Sequence, residues 1–271
     1  MESEPPAMSE RNLLLLLAAV QFTHIMDFMV MMPLGPQLMR DLAITPQQFG
    51  NLISSFALTA GIVGLASAPF MDRFDRRNLL LIAYAGFALG TLACGLATTW
   101  NMLLVSRAIC GAFGGVSGAT IMAIVSDVVP PERRARGMGI IMTAFSAAAA
   151  LGVPFGLKLA QWFRWEAPFL VVAGVAAVVW ISLFRILPSV RGHLSENGHS
   201  PASDFLLLLK DSNAWKGLAL IASVVFSHFT IIPFLSPFLV GNTGLSESHL
   251  FLVYVIGGSV TVFSGPTIGR L

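Results

Sequence analysis

The chain has 271 residues, of which 55% are hydrophobic and only 11% are charged, and its mean hydropathy is +0.78. Soluble domains carry about 25% charged residues, so this composition excludes an ordinary soluble protein and indicates one that crosses a membrane several times. The formal net charge of +2 is small and gives no reason to expect a nucleic-acid partner.

Apolar stretches long enough to cross a bilayer follow one another along the chain. A hydrocarbon core of roughly 30 Å needs about 20 residues of helix, so we predict an all-α membrane protein. The first stretch is not a signal peptide, because it is too long, acidic residues precede it and no small-residue cleavage site follows it. The predicted spans are 12–34, 49–70, 79–98, 101–125, 137–159, 166–187, 215–238 and 250–270.

Lysine and arginine residues fall mainly on one side of these spans. With a cytoplasmic N-terminus, twelve of them lie inside, three lie outside and Arg107 lies within a span. Because positively charged loops stay in the cytoplasm, we predict a multi-pass protein of the cell (inner) membrane with its N-terminus inside. The three residues expected outside are Arg40, Lys158 and Arg164.

An internal repeat appears at an offset of 201 residues. Pro36 and Thr45 follow the first span as Pro237 and Ser246 follow the seventh. Parallel repeats of six helices are a transporter architecture. The predicted parts are an N-terminal six-helix bundle over 1–187, a cytoplasmic linker over 188–213 and an incomplete second bundle, helices seven and eight, over 214–271.

Asp27 is an ionisable residue inside the first apolar stretch. A carboxylate at membrane depth is costly unless it is paired, protonated or in contact with water, so it indicates a function, and transport is the default hypothesis. His24 and Gln21 precede it at spacings of three residues, which places the three side chains on one helical face. His24 is either a group that shares a proton with Asp27 or a hydrogen-bonded packing residue.

Residues near Asp27 are candidates for a substrate cavity. Methionine is pliable and suits varied lipophilic substrates, although packing or contact with lipid is an equally good interpretation. His228 in the seventh span occupies the Asp27 position of the repeat, since 228 − 201 = 27. The candidate cavity residues are Gln21, Phe28, Met31 and His228.

The loop after the second span resembles a known motif. Residues 68–77 are similar to the Gly-x-x-x-Asp-Arg-x-Gly-Arg-Arg loop of the major facilitator superfamily, although Ala68 and Asp75 replace its two glycines. The resemblance implies that the charged residues of this loop act in gating. They are Asp72, Arg73, Arg76 and Arg77.

Two motifs within predicted helices make the family resemblance more specific. Arg107 and Gly111 match the intramembrane Arg-x-x-x-Gly pattern of the superfamily. Gly152, Pro154 and Gly156 resemble the helix-five motif of its twelve-helix drug:proton antiporters, with one residue inserted between the first glycine and the proline. Because proline removes a backbone hydrogen bond, this stretch is predicted either to gate the pathway or simply to kink the helix.

The resemblance implies a major-facilitator-type bundle in which Asp27 and Arg107 face one cavity. Their pair is then either a proton switch or a permanent structural ion pair. Residues 265–271 look like the start of a second copy of the loop motif, whose partner to Asp72 falls at position 273. The chain is therefore expected to be an antiporter truncated after helix eight.

These features together lead to a functional hypothesis, which is proton-coupled efflux of small molecules, including lipophilic ones. The rivals are a sugar or metabolite exporter of the same superfamily and a truncated, non-transporting interaction protein, with a homodimer expected if the short chain is natural. No ATP-binding loop, catalytic triad or cofactor motif is present, so we expect no enzyme activity and no cofactor. Cys94 and Cys110 fall in different spans and argue for neither a disulfide nor a metal site.

Overall fold

A computed structural model describes residues 9–192, 211–257 and 260. This part of the chain is built from helices and turns, without strands. The helices are α1 (Glu10–Val30), α2 (Gly35–Asp41), α3 (Pro46–Met71), α4 (Arg76–Gly95), α5 (Trp100–Val128), α6 (Pro131–Ala147), α7 (Val153–Trp162), α8 (Ala167–Ile186) and α9 (Ser212–Thr243), with a π-helical turn at Ala148–Gly152 between α6 and α7.

Seven of these segments are long and apolar enough to cross a membrane, with α6, the π turn and α7 forming one of them. They correspond to the first seven predicted spans. The predicted eighth span begins as a shorter apolar helix, Glu247–Gly257, and most of its remaining residues lie outside the described ranges. Residues 193–210, most of the predicted linker, also lie outside them.

The first helix ends earlier than the sequence predicted. α1 stops at Val30, and a turn leads into the short helix α2. Pro33 explains the stop, because the residue before a proline is driven out of helical conformation and helices end near that point. Asp27 therefore lies in the last turn of α1 rather than near the middle of a span.

Close helix approach through glycines holds α5 against α3. A Cβ atom placed on Gly111 would lie 2.2 Å from the Phe56 carbonyl oxygen, and one on Gly115 would lie 2.3 Å from that of Ala60. Only glycine permits such contact, as expected for small residues spaced four apart in membrane helices. This packing fixes the depth and rotation of α5, on which Arg107 is carried.

The predicted repeat is also visible in the backbone. Among described residues only Ala43 (φ 50°) and Gly244 (φ 70°) have positive φ, and their numbers differ by 201. Thr45 and Ser246, at the same offset, occupy the N-cap positions of α3 and of the short 3-10 turn, and Thr45 also caps α3 with its side chain. The chain thus makes the same left-handed turn after each repeat-initiating helix.

Candidate proton-coupling site

Asp27 of α1 and Arg107 of α5 form an ion pair inside the bundle. Arg107 Nη1 donates to Asp27 Oδ2 at 2.6 Å, and both side chains are fully buried. Burying two charges is costly unless they are paired with good geometry. The pair that the sequence resemblance implied is therefore present.

The guanidinium group of Arg107 has two further contacts that fix its position. Its Nη1 also lies 3.4 Å from the backbone carbonyl of Asp27, in the last turn of α1, where a cation is favoured by the helix dipole. Its Cζ lies 4.5 Å from the centroid of the Phe56 ring on α3. Arg107 therefore connects α1, α3 and α5.

Several buried polar atoms of this pair and of the preceding two turns of α1 have no hydrogen-bond partner. Buried polar groups are nearly always bonded to protein or to water, so each of these atoms calls for an explanation. The Thr91 hydroxyl of α4 also interacts with the Asp27 carboxylate, but Oδ1 accepts no hydrogen bond of normal geometry. The unpartnered atoms are Asp27 Oδ1, Arg107 Nε and Nη2, His24 Nε2 and Gln21 Oε1.

His24 lies in an aromatic environment rather than against Asp27. Its ring contacts Phe87 and Tyr84 edge-on, with ring centroids 4.2 and 5.5 Å away. The Tyr84 hydroxyl is bonded to the Thr23 hydroxyl at 2.8 Å. Within the described ranges no hydrogen bond joins His24 to Asp27, so a direct proton relay between them is not formed here.

Of the predicted cavity residues, Phe28 lines an actual cavity. This cavity has a volume of about 330 Å³ and lies between α1, α3 and α9. Phe28 contacts Phe229, which also lines the cavity, and Phe56, which does not, with ring centroids 5.3 and 5.0 Å away. Met31 is fully buried in the turn after α1, while the His228 side chain lies outside the described part of the structure.

At one end of the bundle Arg76 is held between two acids. It donates to Asp72, at the end of α3, and to Asp127 Oδ2 on α5 at 3.1 Å. Arg77 instead donates to the Phe184 carbonyl on α8 at 2.7 Å, and Arg73 lies over the Phe70 ring. Of the basic residues in the predicted gating motif, Arg76 is therefore the one that joins α3, α4 and α5.

Asp75, which replaces a glycine of the family motif, was missed by the sequence analysis. Its Oδ1 accepts from the backbone N–H groups of Arg77 and Val190 at 2.9 and 3.0 Å. Its Oδ2 accepts from the Ser189 hydroxyl and from Arg191 Nε. Burial acts to raise the pKa of Asp75, but these four hydrogen bonds outweigh it and lower the pKa. An acid immediately before a helix is a capping signal, but its partners after α8 are more than 100 residues away.

The helix-five motif produces the π turn and a close contact with α1. Pro154 follows the π turn at the start of α7, where a missing backbone N–H is tolerated. A Cβ atom on Gly152 would lie 2.4 Å from Met26 Sδ, and one on Gly156 would lie 2.4 Å from Val30 Cγ2. The two glycines therefore let α7 pack directly against the turn of α1 that carries Asp27.

At the opposite end of the bundle, Glu247 joins the two repeats. Arg40, after α1, donates to Glu247 Oε1 at 2.7 Å. Gln161 Nε2, at the end of α7, donates to the Glu247 backbone carbonyl at 2.9 Å. Two polar contacts therefore connect α2 and α7 to the 3-10 turn that follows α9.

The chain matches the Major Facilitator Superfamily over residues 17–271. It belongs to this superfamily. Membership confirms the resemblance that the sequence motifs carried and the prediction of a helical transporter fold, and it agrees with the expectation that the chain is not an enzyme.

Curated relatives have names of different kinds. The chain is 28% identical over 180 residues to the Uncharacterized MFS-type transporter YceJ of Bacillus subtilis, covering 66% of this chain and 46% of that protein. It is 26% identical over 225 residues to a Probable sugar efflux transporter of Helicobacter pylori, covering 82% and 56%. It is 27% identical over 240 residues to a Chloramphenicol resistance protein of Streptomyces lividans, covering 88% and 61%.

Solved structures agree on the fold. A bacterial homolog of the human lysosomal transporter Spinster, in an inward-facing and occupied conformation, matches with a TM-score of 0.77 at 20% identity, covering 97% of this chain and 62% of that one. The unoccupied form matches with a TM-score of 0.76. The chain thus spans about half the length of the curated relatives it matches and somewhat more of these structures.

Proposed function

We propose that this chain is part of a secondary transporter that exports small molecules in exchange for protons, with Asp27 as the proton carrier and Arg107 as its partner. The observation that carries the proposal is that this buried pair leaves part of its hydrogen-bonding capacity unused. One carboxylate oxygen, Oδ1, accepts no hydrogen bond of normal geometry, and two guanidinium nitrogens, Nε and Nη2, have no acceptor. A permanent structural pair is expected to have these positions filled.

The switch has two states. With Asp27 ionised, the ion pair holds α1 against α5. When Asp27 takes up a proton, the attraction is lost and α1 is no longer held against α5 by charge. Substrate favours the ionised state, so that substrate binding expels the proton. A proton and a substrate that favour different states of this ion pair are coupled, because the binding of either one weakens the binding of the other.

The packing supports a movement that follows this switch. Asp27 lies on the turn of α1 that touches Gly152 and Gly156, next to the π turn, and such turns are frequent at functional sites. We assign the Arg76 end to the cytoplasm and the Arg40 end to the outside, as the distribution of positive charge predicts. The bundle over 1–187 and helices from 214 onward would then rock about the linker 188–213.

The cavity beside Phe28 indicates the substrate class. It combines three aromatic rings, those of Phe28, Phe229 and Phe234, with the polar side chains of Gln47 and Asn51. Its volume of about 330 Å³ is at the lower end of the usual range for ligand sites. We therefore propose small molecules with an apolar body and a few polar groups, and the named activity of the Streptomyces relative is in line with this class.

A sugar or metabolite exporter is the second candidate. The polar wall of the same cavity, made of Gln47, Asn51 and Ser54, favours it, as does the name of the Helicobacter relative. Binding of a panel of aromatic amphiphiles and of neutral sugars to the purified protein separates the two candidates. If aromatic ligands bind to wild type but not to Phe28→Ala, and sugars bind to neither protein, the result supports the first candidate.

The coupling itself is tested in proteoliposomes that contain the full-length protein and an imposed proton gradient. Asp27→Asn retains an oxygen that can accept a hydrogen bond from Arg107, but the asparagine side chain cannot ionise. We expect gradient-driven uphill export to fall to the background level while substrate binding remains within a few-fold of wild type. Glu166→Gln is the matched control, because Glu166 is also a paired acid, 3.0 Å from Arg164, but its arginine partner is exposed, whereas Arg107 is fully buried.

Two results would contradict the proposal. Gradient-driven export that persists in Asp27→Asn would exclude Asp27 as the carrier and favour His24 or His228. Absence of any transport or substrate binding by the wild-type protein would favour the third hypothesis, a non-transporting interaction protein.

A further inference from the structure

Phe56 of α3 contacts both the Asp27–Arg107 pair and a wall residue of the cavity. The Arg107 Cζ atom lies 4.5 Å from the centroid of the Phe56 ring. The Phe28 ring lies 5.0 Å from the same centroid, with its plane tilted by 30°. Phe28 lines the cavity, whereas Phe56 does not. The Phe56 ring therefore joins the wall of the cavity to the guanidinium of the ion pair.

The packing of α3 against α5 sets the position of Phe56 relative to Arg107. The Phe56 carbonyl oxygen is the atom that a Cβ on Gly111 would approach to 2.2 Å, and the Thr59 hydroxyl donates to the same oxygen at 3.2 Å. Gly111 follows Arg107 by four residues and so lies one turn away on the same face of α5. The contact that lets the two helices approach closely therefore also holds the Phe56 ring at the guanidinium.

The ring acts on a cation that is already paired. An aromatic face attracts a cation within about 6 Å of its centroid, most strongly where water is excluded. Arg107 is fully buried and is bonded to Asp27. The Phe56 ring therefore adds an attraction that keeps the guanidinium in place and leaves its charge paired with the carboxylate.

Other titratable groups near the pair are not part of this link. Cys94 of α4 and Cys110 of α5 interact electrostatically with the guanidinium. His24 of α1 has its ring against aromatic rings of α4. In the part of the chain that the structure describes, the Phe56 ring has no aromatic or cation contact with any of the three, so it can act on the pair only through the guanidinium.

We infer that Phe56 is a positioning residue that couples occupancy of the cavity to the protonation of Asp27. This inference rests on the proposed function. A substrate against the Phe28 ring restrains that ring, which in turn keeps Phe56 over the guanidinium and Arg107 in place for the ionised carboxylate. Substrate thereby favours the ionised state, and the proton bound to Asp27 leaves to water. Phe56 itself binds neither the proton nor the substrate.

Calorimetric titration of the purified full-length protein tests this link. The probe is naphthalen-2-ylmethanol, an uncharged aromatic alcohol that does not titrate near neutral pH. Titration in two buffers of different ionisation enthalpy gives the number of protons released per bound probe. The ratio of the dissociation constants at low and high pH gives the coupling factor between probe and proton.

Phe56→Leu keeps an apolar side chain but removes the ring. We expect it to lower the coupling factor about 10-fold, because one desolvated cation–π contact is lost. Proton release per bound probe should fall with it, while the probe still binds at both pH values. Phe56→Tyr keeps the ring face and should retain the wild-type coupling factor.

A fluorinated ring separates the cation contact from packing. Replacement of Phe56 by 3,4,5-trifluorophenylalanine keeps the shape of the side chain but weakens the negative face of the ring, so the coupling factor should fall part of the way. Phe49→Leu is the matched control. Phe49 is buried seven residues earlier on α3, and its ring lies 6.4 Å from that of Phe234, which lines the cavity. Because Phe49 has no cation contact among the described residues, its substitution should leave the coupling factor unchanged.

Failure of this inference is distinguishable from failure of the proposed function. A wild-type coupling factor in both Phe56→Leu and the fluorinated protein would overturn the inference and leave Asp27 as the carrier. A loss in Phe56→Leu without any loss in the fluorinated protein would overturn it too, since it would show a packing role only. An equal fall in Phe49→Leu would point to general packing of α3, with the same consequence. Absence of probe binding or of proton release in wild type would overturn the proposed function, and this inference with it.

Discussion

Two buried carboxylates of this chain differ in how completely their hydrogen-bonding capacity is used. Asp75 is 8% exposed and accepts four hydrogen bonds, two on each oxygen. Asp27 is fully buried and has one strong donor on one oxygen. A saturated carboxylate fixes the chain around it, whereas an unsaturated one keeps an oxygen on which a proton can bind. We therefore assign Asp75 to structure and Asp27 to function.

The largest expected effect on stability is that of removing one member of the Asp27–Arg107 pair. Asp27→Ala should destabilise the protein by about 3–5 kcal/mol, because it leaves a buried guanidinium that cannot lose its proton. Arg107→Ala should cost less, because the remaining carboxyl group can become neutral by taking up a proton. Denaturant unfolding in detergent measures both, and an equal or larger cost for Arg107→Ala would contradict this view of the pair.

A smaller effect is expected at the saturated carboxylate. Asp75→Ala removes the acceptor for four donors that join the start of α4 to the segment after α8. Most of these donors can reach water, so we expect a loss of about 1–3 kcal/mol. Limited proteolysis after α8 should become faster, whereas no change in either measurement would show that Asp75 does not hold this segment.

The pH dependence of stability gives a second test of the role of Asp75. The folded pKa of Asp75 is lowered, so its contribution is fully present above the unfolded value of about 3.9 and is lost as the pH falls through the folded value. Wild type should therefore lose its advantage over Asp75→Asn only in strongly acidic buffer. If the difference between the two proteins instead grows on acidification, the sign of the assignment is wrong.

The smallest effect is expected for the exposed pair between the two repeats. Arg40 and Glu247 side chains are 59% and 37% exposed, and surface ion pairs contribute about 0–1 kcal/mol. Glu247→Gln should therefore change the free energy of unfolding by less than about 1 kcal/mol. In high salt the difference in free energy between wild type and variant should become smaller still. A loss as large as that of Asp75→Ala would show that this contact is a main clamp between the halves.

Much of this architecture could be predicted from the sequence. Hydropathy located the seven long helices, and the predicted offset of 201 residues also separates the two residues with positive φ, Ala43 and Gly244, among the described residues. The pairing of Asp27 with Arg107 followed from the family resemblance. These features depend on long apolar runs or on motifs, which a single sequence displays directly.

Other features depend on contacts that no local pattern records. Helix α2 and the early end of α1 result from proline chemistry over a few residues, within a stretch whose hydropathy is continuous. The anchoring of Ser189 and Val190 by Asp75, and the contact of Cys94 with Cys110, join separate helices or segments. Their partners become apparent only when the helices are packed.

The most direct test of the account measures proton release when substrate binds to the purified full-length protein in weakly buffered solution. Asp27→Asn and Asp75→Asn are compared, since both replace a buried acid by its neutral isostere. The account predicts that wild type and Asp75→Asn release protons on binding, while Asp27→Asn binds substrate without releasing any. Proton release that persists in Asp27→Asn, or that disappears in Asp75→Asn while binding is retained, would contradict it.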